Sequence, residues 1–154
     1  MFAERARAAA AGTPDPICPG VAATHAAYDA AVARLVPAAA GGAAHLMVAT
    51  HNVASIEATV RAMATAGLPP TTPAVLFGQL CGMRDFVTFT LGAAGYRAYK
   101  ILPYGPLRET LLYLTRRAQE NSDVLGNVGV DLALLRVELG RRVMGKGVQA
   151  PPAV

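Results

Sequence analysis

The stretch His45–Leu102 reads HLMVATHNVASIEATVRAMATAGLPPTTPAVLFGQLCGMRDFVTFTLGAAGYRAYKIL, and its rhythm decides the fold. His45 to Thr50 is a short apolar run without alternation, the pattern of a strand buried on both faces. Asn52 is placed to cap a helix whose Ile56, Val60 and Met63 share one face; Gly67, followed by Pro69 and Pro70, is placed to end it. Ala74 to Gln79 reads as a second strand. Asp85 opens another helix, which runs through Phe86, Phe89 and Leu91 and ends near Gly95. Tyr96 to Leu102 reads as a third strand. Crossovers this short force parallel pairing with right-handed connections. An open doubly wound sheet and part of a (βα)8 barrel both fit. A full barrel takes roughly 250 residues, and three strands alone leave sheet edges unpaired. The expectation is therefore α/β barrel units without all of their partners.

Working outward, residues 2–11 have strong helix propensity. Gly12 to Gly20 breaks it with Pro14, Pro16 and Pro19. A second Ala-rich helix is expected from about Thr24 to Val36, ended by Pro37 and the Gly41–Gly42 pair. Beyond the third strand, Pro103 to Pro106 is a turn. A long helix follows to about Asn121, then an amphipathic helix over about Val130 to Val143. The expected organisation is one partial barrel domain over 1–145 and a disordered tail over 146–154.

Hydrophobic residues make up 53% of the 154 and charged residues 16%, a globular composition. There is no run of 18 apolar residues of the kind a membrane helix needs. The formal charge is +4 and the pI about 9.4. No dense Lys/Arg cluster interleaves with aromatics and Trp is absent, so no nucleic-acid partner is expected. Cys18 and Cys81 form no CxxC, and His25, His45 and His51 do not sit at zinc spacing from them. No metal site is expected, and both thiols should be free in a reducing compartment. The Arg- and Ala-rich opening is superficially like a transit peptide, but Glu4 and the lack of a Ser-rich stretch argue for a helix start.

Three places carry candidate chemistry. On the long helix, Tyr113, Arg116, Arg117 and Glu120 fall at i, i+3, i+4 and i+7 and share a face. Leu107, Leu111, Leu114 and Ala118 form a separate apolar stripe, expected to pack. Two adjacent guanidiniums suit a carboxylate or phosphate; the plainer reading is a solvated face with an Arg–Glu pair. Thr50-His51-Asn52 ends the first strand, where ligands sit in parallel α/β folds, or is simply a helix entry. Phe77-Gly78-Gln79-Leu80-Cys81-Gly82-Met83 ends the second; its glycines permit close backbone approach to a ligand or a plain tight turn. Lys100 reads as either a phosphate contact or surface. No Ser-His-Asp set, Walker loop or GxGxxG is present, and nothing ties any two of Glu57, Asp85, Glu109 and Glu120 together.

Several stretches, in this order, resemble the proline dehydrogenase family: Glu4-Arg5-Ala6-Arg7-Ala8, Asp15-Pro16-Ile17, Met47 to Asn52, Phe77-Gly78-Gln79-Leu80 and Gly82-Met83. The most specific run follows: Tyr99-Lys100, Leu102 to Pro106, Tyr113-Leu114 and Arg116 to Asn121. The resemblance implies the C-terminal portion of a distorted (βα)8 barrel, with FAD at the carboxyl ends of the strands and the final helix across the barrel mouth. It implies that Arg116 and Arg117 bind the proline carboxylate, and that Tyr113 and Leu80 shape the pocket around the ring. Glu120 would support the arginines or gate the site, and Thr50 and His51 would contact FAD. The implied reaction is hydride transfer from proline to the flavin, giving 1-pyrroline-5-carboxylate, with electrons passed to a quinone at a membrane. Members work at the mitochondrial inner membrane in eukaryotes and are cytoplasmic and membrane-associated in bacteria.

Two departures from the family bear on this. Ile101 stands where proline-using relatives usually carry Tyr and hydroxyproline-using relatives tend to carry Ser. Its apolar side chain favours proline, with 4-hydroxyproline the alternative. The chain also begins where the helix after the family's fifth strand would begin, which leaves out a substrate-facing Lys and Asp and most flavin contacts. A non-catalytic barrel remnant that associates with another chain is the rival reading. A preorganised site needs both of its walls, so the isolated chain is expected to bind FAD weakly or not at all. Flavin absorbance on the purified, FAD-incubated chain checks this, and near-unit stoichiometry would overturn it.

Overall fold

The structure, a computed structural model, describes residues 2–120 and 128–145. The elements in chain order are α1 (Phe2–Ala11), α2 (Val21–Ala40), β1 (Leu46–Ala49), α3 (Val53–Thr65), β2 (Val75–Leu80), α4 (Asp85–Ala93), β3 (Ala98–Ile101), α5 (Leu107–Glu120) and α6 (Val128–Val143). The strands form one sheet in the order β1-β2-β3. That order follows the chain without reversal, as consecutive barrel strands do. Two compact units divide the chain, Met1–Val75 and Leu76–Val154.

In the first unit α2 packs on α3 and on β1. Val36 and Val48 are fully buried, with Val32, Ala39, Ile56 and Met63 around them. Asn52 caps α3 as its sequence promises: its Oδ1 accepts from the Ala54 N–H at 3.2 Å and its Nδ2 donates to Ser55 Oγ at 3.0 Å. The helix closes with the Leu68 N–H donating to Met63 O and the Gly67 N–H to Ala64 O. The same pair of bonds closes α2 at Gly42 and α4 at Gly95. Each of these glycines has φ between 69° and 85°, a left-handed turn that side chains resist. Three helices are therefore stopped and turned toward the next strand by one local device.

Two expectations fail here. Pro37 does not end α2 but lies inside it, and the helix runs to Ala40. Pro37 has no N–H to give the carbonyl one turn back, but so near the end that loss is incurred once, and its own carbonyl accepts from Gly41 at 3.0 Å. β1 is not buried on both faces: Val48 is enclosed while Met47 is 51% exposed. An unbroken apolar run records composition, not which faces are covered.

In the second unit β2 and β3 pair in parallel, with Gln79 opposite Lys100 and Leu80 opposite Ile101. Phe77 is fully buried, edge-on to Tyr96 at 5.7 Å between ring centroids. Val87, Thr88 and Leu91 form the inner face of α4, while Phe89 is exposed. Thr88 Oγ1 donates to Gln79 Oε1 at 2.9 Å, so the buried amide oxygen of Gln79 is satisfied. The loop between β2 and α4 contains Arg84 at φ 50°, ψ 43°, a conformation costing a non-glycine residue roughly 1–2 kcal/mol.

The expected apolar face of α5 is overturned. Leu107, Leu111 and Leu114 are exposed among the described residues, and the half-buried positions are Thr110, Tyr113 and Arg117. Asn121 and the expected tail over 146–154 lie outside the described residues. Among the described residues no helix is long and apolar enough to cross a membrane.

On α6, Arg141 donates to both carboxylate oxygens of Glu138 at 2.7 Å and Arg142 donates to Oε1 at 2.8 Å. Hydrogen bonds from Arg141, then Arg142, hold the Glu138 carboxyl down at about 2 against an ordinary 4.5. Because the folded value is depressed, the stabilisation is fully present above about pH 4.5 and is lost as pH falls through about 2. A carboxyl-carbon NMR titration should place the Glu138 midpoint near 2, and the double variant Arg141→Gln, Arg142→Gln should return it to near 4.5. In the core, Phe77→Ala should cost about 3–5 kcal/mol in denaturant unfolding. Phe89→Ala, at an exposed position, should stay within about 0.5 kcal/mol of the parent.

Candidate functional site

Strand pleating decides which residues of the second unit can face a ligand. Side chains alternate across the sheet, so Gln79 and Lys100 share the face that meets α4. Their partners agree: Gln79 meets Thr88, and Lys100 meets Asp85, both on α4. Leu80, Tyr99 and Ile101 therefore belong to the opposite face. Tyr99 and Ile101 are 48% and 45% exposed there, and Leu80 is half-buried. In a barrel this face points to the interior.

The Pro103–Pro106 turn carries the chain from that face into α5. Gly105 has φ of 142°, a backbone setting only glycine adopts without strain, and a Cβ there would meet Thr110 Oγ1 at 3.7 Å. The turn and the first turns of α5 enclose an open cleft of about 290 Å³, bordered by Ile101, Tyr104, Glu109, Thr110 and Tyr113 among others. Ile101 and Tyr113, 12 positions apart in sequence, are thus brought to one cavity. The Arg117 guanidinium stands over the Tyr113 ring at 5.6 Å from its centroid, a cation–π contact that presets the arginine's direction.

Arg116 is placed differently. It is exposed and borders a second cleft of about 440 Å³ with Glu109, Leu112 and Thr115. Arg117 thus lies on the half-buried ridge of α5 with Thr110 and Tyr113, and Arg116 lies beside that ridge, on the second cleft. Glu120 is the last residue of α5. In the first unit, Thr50 and His51 follow the carboxyl end of β1 and are both half-buried. Thr50 Oγ1 accepts from the Asn52 N–H at 3.1 Å, which steers the chain out of the strand and into the capped α3.

Lys100 is not bare surface. Its Nζ donates to Leu80 O at 3.2 Å and Met83 O at 2.8 Å and stands 2.7 Å from Asp85 Oδ1. These acceptors match the three protons of an ammonium. Glu109 and Thr110 were not singled out from sequence. Their signal was present: both lie within one helical turn of Tyr113, on its N-terminal side. Cys18 and Cys81 are both free thiols.

The proline dehydrogenase family description matches residues 1–129. Hydroxyproline dehydrogenase from Bos taurus is 43% identical over 151 residues, covering 97% of this chain and 32% of that protein. Proline dehydrogenase 1, mitochondrial, from Homo sapiens is 45% identical over 141 residues, covering 91% of this chain and 24% of that protein. The chain thus spans about a third or less of the length of these relatives. Among solved structures, proline utilization A from Bdellovibrio bacteriovorus, inactivated by N-propargylglycine, superposes with a TM-score of 0.66. That match has 28% identity and covers 78% of this chain and 12% of that one. The three βα units with their flanking helices are the C-terminal portion of a (βα)8 barrel, and the chain belongs to the proline dehydrogenase family.

Proposed function

We propose that this chain supplies the substrate-binding portion of an FAD-dependent enzyme that oxidises L-proline to 1-pyrroline-5-carboxylate. The observation that carries the reading is the orientation of α5. Its polar ridge, not its leucine stripe, is turned toward the cleft, with Tyr113 on the cavity wall and Arg117 laid over its ring. A solvated surface helix would show the reverse.

In this reading Arg116 and Arg117 take the substrate carboxylate by charge-assisted hydrogen bonds, Arg117 from the ridge and Arg116 from beside it. Tyr113, Leu80 and Ile101 provide apolar contact with the pyrrolidine ring, and Glu120 steadies the arginines or gates the site. Thr50 and His51 contact the flavin. A hydroxyl and an imidazole, half-buried where a strand ends, are a donor and acceptor set that suits a flavin's polar periphery. The flavin, when bound, supplies the hydride acceptor. The chain's residues orient the ring, and the arginines fix the end that does not react. A quinone is the electron acceptor in this reading, at a membrane to which the protein associates peripherally. A eukaryotic owner would hold it in the mitochondrion, as the name of the human relative says of that protein.

The alternative substrate is 4-hydroxyproline, favoured by the hydroxyproline dehydrogenases among the relatives. Against it, Ile101 on the cleft wall offers the ring hydroxyl no hydrogen bond. An unsatisfied buried hydroxyl costs about 1–3 kcal/mol.

The test exchanges the matched segment of human proline dehydrogenase 1 for this chain and follows flavin bleaching by substrate. Each of Arg116→Ala and Arg117→Ala should raise KM for proline about 10- to 100-fold, the worth of a charge-assisted hydrogen bond. Unchanged KM in both would remove the carboxylate assignment. A higher kcat/KM for 4-hydroxyproline than for proline would transfer the reading to that substrate.

A further inference from the structure

The loop between β2 and α4 holds a backbone that its own sequence does not favour. Within four residues it places Gly82 at φ 79° and Arg84 at φ 50°, the one non-glycine positive φ among the described residues. Strained residues persist where their surroundings over-determine them. Arg84 caps α4 through its backbone, its carbonyl accepting from the Val87 N–H at 3.0 Å, and its guanidinium stands over the Phe86 ring at 5.8 Å. What brackets the loop is Lys100, reaching across from β3. Its ammonium binds the carbonyl where the loop starts, Leu80 O, and the carbonyl before the strained residue, Met83 O. It also meets the carboxylate of Asp85, the first residue of α4. Leu80 O also accepts from the Met83 N–H at 3.2 Å, and the Cys81 N–H donates to Ile101 O at 3.1 Å. One ammonium therefore closes a ring that begins and ends at Leu80. The Lys100 side chain is 23% exposed, sheltered enough to keep those bonds from competing freely with water.

Leu80 is the residue whose two faces matter. Its carbonyl is fixed by Lys100 from the α4 side, and its side chain belongs to the opposite face with Ile101. Resting on the proline-site reading above, we propose that Lys100 is the positioning residue for that site: its ammonium sets the path of residues 81–84 and through it the angle at which Leu80 meets the substrate ring. Arg and Met fill similar space. Arg keeps the charge in a planar fork, whereas Met keeps only the apolar stem.

Two measurements test this on Lys100→Met and Lys100→Arg. The first is amide hydrogen exchange on the full chain. In Lys100→Met, exchange at Cys81 and Met83 should quicken about tenfold or more while Phe77 on β2 keeps its protection, the behaviour of a local opening. Lys100→Arg should recover part of the loss. The second is turnover in the segment-exchanged human enzyme. There Lys100→Met should raise KM for proline about tenfold with kcat changed much less, since a misplaced contact weakens binding shared by ground and transition states. Unchanged exchange at Cys81 and Met83, or an unchanged KM, overturns the proposal. So does a fall in kcat accompanied by lost protection throughout β2 and β3, which would mark Lys100 as merely structural. If the unsubstituted exchange fails to oxidise proline, the site reading fails instead, and hydrogen exchange alone then decides whether Lys100 clamps the loop.

Discussion

The parallel pairing of β2 on β3, with Leu80 opposite Ile101, is the constraint on which the rest of the second unit depends. Because side chains alternate at every residue, a slip of one position would exchange the two faces of the strand that moved. Were β3 to slip, Lys100 would lose Asp85 and Ile101 would turn toward α4. The register is therefore specified from the covered side. Phe77, fully buried, and Gln79, at 1% exposure, admit no solvent on that side. The opposite face is left with an apolar Leu–Ile pair.

The helices reach their strands by a repeated local solution. A glycine just past the end of α2, α3 and α4 adopts the left-handed turn and closes the same pair of hydrogen bonds. This is cheap, because only glycine takes that conformation without strain. At the other ends of the helices the solutions differ. Asn52 caps α3 with its side chain, whereas α4 starts from a strained Arg84. The cheap solution lies where only topology matters. The costly one lies beside Leu80, in the loop that Lys100 brackets.

Helix α5 inverts the usual logic of an amphipathic segment. Its leucines are exposed and its Thr110, Tyr113 and Arg117 are half-buried. A guanidinium is tolerated in such a position because it is weakly hydrated and stacks on an aromatic face, as Arg117 does on Tyr113. The polar ridge, not the leucine stripe, therefore borders the cleft at the start of α5.

The sequence by itself determined the order and type of the elements. Gly67 and Gly95, Asn52, and the apolar runs ahead of them are local signals read by local physics, and they placed three βα units correctly. The Tyr113-Leu114 and Arg116-to-Asn121 run, with the Leu102-to-Pro106 turn, was enough to point to the family. Tertiary structure decided what is covered and what reaches what. The one-sided burial of β1 and the exposed leucines of α5 each depend on neighbours distant in the chain. So does Lys100, which in sequence is a lone cation at a strand end. Only the β2–β3 register carries it to Leu80 O and Met83 O, 20 and 17 positions earlier. Helix caps and turns close within a few residues, so sequence displays them. Burial and long-range hydrogen bonds are properties of the packed chain, and no window of sequence contains both partners.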